Sequence, residues 1–257
     1  MSEIDFFHIT DTGCVRDGNE DAVACWPHDD GILFAVADGL GGHNAGEIAS
    51  SLAIEVLGQE MEKAPRNWPV NKRLKRAVQE ANLRIVTKAT TVPELRKMGT
   101  TLTASVVVGS TLATAHVGDC RLYLMREGKL TQMTKDHSWV GEQVEYGILT
   151  AEEARTHPRR NVLSRCLGHE LIVGIDVLTM TIQPGDILLQ CSDGVHTLLS
   201  ESEMLELLQA GRPDSTCHSM IQRARDAGGD DNLSVQVAAV ISCSPDAAPR
   251  PWWRLGR

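Results

Sequence analysis

A chain of 257 residues with 42% apolar side chains can bury a sizeable core, and a single large domain is expected rather than two small ones. Its 25 Lys and Arg against 34 Asp and Glu leave a net charge of −9, which argues against broad nonspecific binding to nucleic acid or an anionic membrane but leaves room for a few placed basic contacts. Seven scattered cysteines without a CxxC pair point to reduced, structural thiols. No apolar run reaches the roughly 20 residues that span a bilayer, and the N-terminus lacks the basic start and apolar core of a signal peptide, so a cytoplasmic protein is expected.

From Ile4 to Ala37, short apolar or alternating runs broken by Asp-Gly, Pro and Asn predict strands and turns. Ile48, Leu52 and Val56 then recur at four-residue spacing. After the break at Pro65 to Pro69, Val70, Leu74 and Val78 with Ala77, Ala81 and Ile85 repeat the pattern, which predicts two helices of about 15 to 20 residues packed on a sheet. From Thr101 the period becomes two. Leu102, Ala104, Val106 and Val108 share a face, and runs at 111–117, 121–126 and 129–134 joined by short turns predict an antiparallel meander.

Residues 137–170 are less regular, and a capping-box pattern at Thr150 to Glu153 predicts a small helical insertion or lid. Strands are expected at 171–182 and 186–191. A second capping box, Ser200 to Glu203, opens a helix with Met204, Leu207 and Leu208 inward; another helix is expected from Asp214 to Ala227 and a closing strand from Leu233 to Ile241. Strands, two helices, strands, two helices is the order of an α+β fold with two packed sheets and helices outside, not of alternating βαβ units. The tail 242–257, with three prolines and Trp252-Trp253, is expected to be flexible; the tryptophan pair could dock a partner, pack back on the domain or stay exposed.

Four acidic turns follow apolar runs or a Gly pair: Asp38-Gly39 after Leu33 to Ala37, Gly118-Asp119 after Leu112 to Val117, Asp193-Gly194 after Ile187 to Cys191, and Asp230-Asp231-Asn232. Any one alone reads as an ordinary hairpin turn. Together with Arg16 and Glu20-Asp21 they suggest a two-metal phosphoryl hydrolase. Gathering carboxylates without a cation costs roughly 4 kcal/mol per pair at about 4 Å in an effective dielectric near 20, and hard divalent cations relieve that repulsion. Two cations bridged by a carboxylate lower the pKa of a bound water to around 7, and the resulting hydroxide can attack phosphorus in line.

Arg16, four residues before Glu20, is either a bidentate clamp on phosphate oxygens or a surface arginine in a turn. His43, in the run DGLGGHNAGE, either protonates the leaving oxygen or caps the following helix. Cys120 to Arg126 and Cys217 to Arg223 fit the C-x5-R spacing of a cysteine-nucleophile phosphatase, but the intervals read as a strand and a helix and supply no Gly-rich phosphate cradle. The histidines lack the close spacing of a zinc hydrolase.

The segments GCVRDGNED at 13–21, FAVADGLGGHNAGEIAS at 34–50, MGTTLT at 98–103, AHVGDCRLY at 115–123, TKDHS at 134–138, NVLSRCLG at 161–168, CSDGV at 191–195 and DDNLSV at 230–235 carry a resemblance. Over roughly residues 8 to 241 the chain resembles the metal-dependent protein Ser/Thr phosphatases of the PPM, or PP2C-like, family in its compact bacterial form. The resemblance implies a catalytic domain over 1–241, a central sandwich of two antiparallel sheets flanked by helix pairs, and a flap near 139–165. There Arg155, Arg159, Arg160 and Arg165 either steer a phosphopeptide or form a solvated face.

It also implies roles. Asp38 bridges two Mn²⁺ or Mg²⁺ ions, with Glu20 and the Gly39 carbonyl on one and Asp193 and Asp231 on the other. Asp21 acts through metal-bound water, Arg16 holds phosphate, and Asn232 orients the Asp231 carboxylate as its neighbour. Asp119 either adds with Asp193 to a weaker third site or stabilises its turn. The expected function is hydrolysis of phosphoserine and phosphothreonine by a monomer that reverses a cognate Ser/Thr kinase. The alternative is a catalytically silent phosphoprotein-binding scaffold of the same fold, which the intact carboxylate set argues against.

Overall fold

The computed structural model describes residues 2–28, 31–42 and 44–243, with His28 given by its backbone alone. Strands β1 (Glu3–Asp11), β2 (Asp21–His28) and β3 (Gly31–Leu40) precede helices α1 (Asn44–Lys63) and α2 (Val70–Thr91). A 3-10 turn at Pro93–Leu95 leads into β4 (Gly99–Thr100), β5 (Leu102–Val108), β6 (Thr111–Val117), β7 (Arg121–Arg126) and β8 (Lys129–Gln132). Short helices α3 (Trp139–Glu145) and α4 (Ala151–Thr156) come before β9 (Asp176–Thr181) and β10 (Ile187–Cys191). Helices α5 (Asp193–His196), α6 (Glu201–Ala210) and α7 (Pro213–Asp226) then lead to β11 (Leu233–Ser242).

One sheet has the order β1-β11-β10-β7-β8 and the other β2-β3-β5-β6-β9, with β4 added beside β3. Paired strands are antiparallel throughout. Phe34, Val107, Leu112, Leu122, Leu188 and Val240 fill the space between the sheets. Leu57, Leu74, Ile85 and Leu102 join α1 and α2 to the second sheet, while Met204, Leu208 and Met220 join α6 and α7 to the first. Every central strand is therefore buried on both faces, giving the expected α+β sandwich with helices outside. Polar ties cross between the sheets as well: Gln190 on β10 donates to Ser105 Oγ on β5 at 2.7 Å, and Gln236 on β11 donates to the Ala35 carbonyl on β3.

Both capping boxes form: Thr150 with Glu153 opens α4 and Ser200 with Glu203 opens α6. Two expectations fail. The meander breaks at Gly118-Asp119-Cys120, where the chain leaves one sheet for the other, so β6 pairs with β5 and β9 whereas β7 pairs with β8 and β10. A doubly buried strand carries the same apolar signature in either sheet; the switch lies instead in Gly118. Its φ is +111°, and an added Cβ would sit 2.4 Å from Thr101 Cβ. In α1, the fully covered stripe is Ala45, Ala49, Ala53, Leu57 and Met61, and Ile48 and Leu52 are only partly buried. Small alanines let the helix lie close to its sheet, a role that a pattern of large apolar residues does not display.

Candidate metal centre

The acidic turns meet at one end of the sandwich, where strands from both sheets finish. In register, Asp21 at the start of β2 faces Asp38 near the end of β3, and the Gly39 N–H donates to the Glu20 carbonyl at 3.1 Å. The backbone of Asp38 is held from β4 and its junction with β5. Its N–H donates to Thr101 Oγ1 at 2.9 Å, and its carbonyl accepts from the Thr101 N–H at 2.9 Å and from Thr100 Oγ1 at 2.8 Å. Two glycines make room for Glu20: a Cβ on Gly46 would lie 1.8 Å from Glu20 Oε2, and one on Gly39 would lie 2.3 Å from the Gly46 carbonyl.

The other sheet supplies the facing carboxylates. Asp193 opens α5 two residues after the end of β10, and Gly194 packs so tightly on the turn before β11 that a Cβ would lie 2.1 Å from the Asn232 carbonyl and 3.3 Å from Asp231 Cβ. Asp119 sits at the turn between the sheets, where its carbonyl accepts a hydrogen bond from His196 Nε2 at 3.0 Å. Burial pulls the His196 imidazole down to about 3, so it is neutral and acts as a structural donor. His137 works similarly: Nδ1 accepts from the Gly118 N–H at 3.1 Å, which leaves Nε2 to donate to Asp176 at 3.2 Å.

Burial, then repulsion from one another, raises the pKa of Asp38, Asp119 and Asp193. Asp21 is pushed up to about 7 for the same reasons, against an opposing pull from the Ser234 and Ser192 hydroxyls. Its Oδ2 is buried with no hydrogen-bond partner. The Asp193 carboxyl is in hydrogen-bonding contact with Asp38, and Arg16 lies 2.8 Å from Asp231 Oδ2. Among the described residues no three His, Cys, Asp or Glu side chains already stand at the spacing that would hold a metal ion. The donor set is nonetheless all oxygen and mutually repelling, and it holds an unpartnered buried carboxylate oxygen; these features fit a hard divalent cation.

Of the residues singled out from sequence, Glu20, Asp21, Asp38, Gly39, Asp119, Asp193, Asp231 and Arg16 converge at this end of the sandwich. For Arg16, attraction to Asp231, Glu20 and Asp38 outweighs the downward effect of burial and raises its pKa. His43 and the tail with Trp252-Trp253 lie outside the described residues. Asn232 differs from expectation: its backbone N–H, not its side chain, bonds Asp231 Oδ1 at 2.9 Å. The side chain instead pins the 12–20 loop, with Oδ1 accepting from the Glu20 N–H at 2.8 Å and Nδ2 donating to the Thr12 and Gly18 carbonyls, each at 2.9 Å. Asn232→Ala is therefore expected to destabilise the fold by about 3 kcal/mol, since three part-buried backbone groups lose their partners. Chemical denaturation checks this, and a loss under about 1 kcal/mol would contradict it.

The thiols of the C-x5-R candidates are buried; burial pushes Cys120 well above the ordinary thiol value and Cys217 up to about 12, which removes the thiolate a nucleophile needs. On the flap, Arg155 donates to the Thr197 and Leu199 carbonyls and Arg165 pairs with Asp176 at 2.9 Å, so both tie the flap to the body. Arg159 lies over the Trp139 ring, and Arg160 lines a cavity of about 720 Å³ between the flap and the carboxylate end. Sequence reasoning missed the support that Thr100 and Thr101 give to Asp38; paired threonines are too common to signal such a role.

Residues 5–237 match the family model described as protein phosphatase 2C. The chain is 42% identical over 234 residues to the serine/threonine protein phosphatase PstP of Mycobacterium tuberculosis, an alignment covering 90% of this chain but 44% of PstP, so it spans under half that relative's length. It is 38% identical to the serine/threonine phosphatase stp of Listeria monocytogenes, covering 88% of this chain and 92% of stp. The crystal structure of the PstP catalytic domain in complex with two manganese ions superposes with a TM-score of 0.83 at 37% identity, covering 93% of this chain and 99% of that one. With the fold, the acidic strand ends and this degree of likeness in agreement, the chain belongs to the protein phosphatase 2C family.

Proposed function

We propose that the chain is a metal-dependent protein serine/threonine phosphatase that hydrolyses phosphoserine and phosphothreonine without a covalent intermediate. The observation that carries this reading is the set of buried, mutually repelling carboxylates brought from both sheets to one cleft beside the Arg16 guanidinium. Asp38, Glu20 and the Gly39 carbonyl would hold one Mn²⁺ or Mg²⁺ ion, and Asp38, Asp193 and Asp231 a second. Asp21 would act through water, and Asp119 would add with Asp193 to a third, weaker site. Bound there, such ions supply Lewis acidity and lower the pKa of a water to around 7.

The chain's own residues do the rest. Thr100 and Thr101 fix Asp38, and Asn232 fixes the loop that carries Glu20 and Arg16. Arg16 has two planar N–H edges for phosphate oxygens and already sits at the cleft. His43 is the candidate proton donor to the leaving serine or threonine oxygen. We place the enzyme in the cytoplasm as a monomer opposing a cognate Ser/Thr kinase, with residues 1–241 as its catalytic domain, 139–165 as its flap and 242–257 as an appended tail. Phosphate release from a phosphothreonyl peptide tests the function: Mn²⁺ should support it and EDTA should stop it. Equal release in both, or none with Mn²⁺, would overturn the reading.

Arg16→Ala is expected to raise KM roughly tenfold with a smaller change in kcat, because ground-state phosphate binding suffers most. Steady-state kinetics on p-nitrophenyl phosphate checks it, and an unchanged KM would count against the clamp.

A further inference from the structure

Beside the turn at Leu40 and Gly41 lies a second cavity of about 710 Å³, whose lining includes none of the carboxylates described above. Its charged and polar lining comes from Arg96, Lys97, His169 and Thr90, and its apolar wall from Leu40 and Val86, with no Asp or Glu in the lining. Such a lining stands out in a chain of net charge −9. Arg96 and Lys97 are exposed, and among the described residues neither side chain makes an ion pair.

Close backbone packing builds the groove. A Cβ on Gly41 would lie 2.9 Å from the Lys97 carbonyl, one on Gly99 would lie 2.9 Å from His169 Nε2, and one on Gly168 would lie 2.8 Å from the Met98 carbonyl. His169 Nδ1 lies 3.2 Å from Cys166 Sγ. With Nδ1 accepting the thiol proton, Nε2 carries a proton and offers a donor.

The groove lies beside the end of the strand that carries Asp38, since Leu40 and Gly41 are in its lining. Leu40 and Gly41 stand two and three residues beyond Asp38, which puts them at most roughly 7 to 10 Å from it. A phosphorylated residue seated at Asp38 would bring its neighbours two or three positions away to Arg96 and Lys97.

We propose that this groove is a specificity site in which Arg96 and Lys97 bind an anionic side chain, a carboxylate or a second phosphate, two or three residues from the phosphorylated residue. The proposal rests on the phosphatase reading. Its apolar wall takes the aliphatic part of the same segment, and the cations select the charge.

The test compares wild type with the double variant Arg96→Glu, Lys97→Glu, both with Mn²⁺. Substrates are p-nitrophenyl phosphate and phosphothreonyl peptides carrying Glu, Ala or a second phosphothreonine two or three positions to either side. Wild type should favour an anionic neighbour over Ala by roughly tenfold in kcat/KM, mainly through KM. The double variant should lose that preference and keep its rate on p-nitrophenyl phosphate. A greater loss for the second phosphate than for Glu identifies phosphate as the better ligand, and the converse identifies carboxylate.

In wild type alone, rising NaCl should shrink the preference, which keeps the test decisive if the variant fails to fold. Equal rates for anionic and Ala neighbours in wild type, or a preference that survives charge reversal or high salt, would overturn the proposal while leaving the phosphatase reading intact. Absence of turnover on every substrate would sink both.

Discussion

Asp193→Asn is expected to lower kcat by at least about a thousandfold while the chain stays folded. Asp193 lies at the first position of α5, at the cleft rather than in the apolar core, and the isosteric amide keeps its packing. What changes is charge: one carboxylate is lost from the set proposed to hold the cations. A second readout separates this account from a purely structural role for Asp193. Its carboxyl is raised in pKa by burial and then by Asp231, so ionising it opposes folding when no cation is present. The metal-free variant should therefore melt above metal-free wild type near pH 8 and gain less from Mn²⁺. Full turnover in the variant, or a lower metal-free melting temperature, would contradict the assignment.

The second large effect is the pH dependence of stability without metal. A carboxyl whose folded pKa is raised is protonated in both states at low pH and so contributes nothing there. As pH rises through the ordinary carboxylate range, the unfolded chain releases that proton while the folded chain keeps it, and stability falls. The window runs from about pH 4 to about pH 7, where folded Asp21 titrates. The shift of Asp21 alone corresponds to on the order of 4 kcal/mol, and Asp38, Asp119 and Asp193 act in the same direction. Asp136 acts oppositely: burial raises its pKa, but Arg121 outweighs burial and holds it low, so its contribution is lost only as pH falls below the carboxylate range.

In EDTA the melting temperature should thus drop by on the order of 10 °C between pH 5 and pH 7.5, and Mn²⁺ should reverse the drop. A metal-free melting temperature that rises across this window would show that the carboxylates are not held together as described.

Much of the centre could be read from the chain because its residues sit where local signals are strong. An apolar run ending in Asp-Gly marks a strand end, and several such ends in one sequence imply convergence. The resemblance then assigned the individual roles. What could not be read depends on three-dimensional register. Gly118 moves the chain between sheets, yet β6 and β7 are each buried on both faces, so nothing in their pattern says which sheet they join. Asn232 looks like the partner of the adjacent Asp231, but its amide reaches Thr12, Gly18 and Glu20 about two hundred residues away in sequence. The alanine stripe of α1 is hidden by larger residues beside it, and nothing local marks Thr100 and Thr101 as the clamp on Asp38.

The central claim is that a cluster of mutually repelling carboxylates is a site for divalent cations, and calorimetric titration of metal-free protein with Mn²⁺ near pH 7 tests it most directly. The expected result is saturable binding of about two ions per chain, with protons released as the raised Asp carboxyls ionise, detected as a heat that changes with the ionisation enthalpy of the buffer. No saturable binding by folded protein, or binding without proton release, would contradict it.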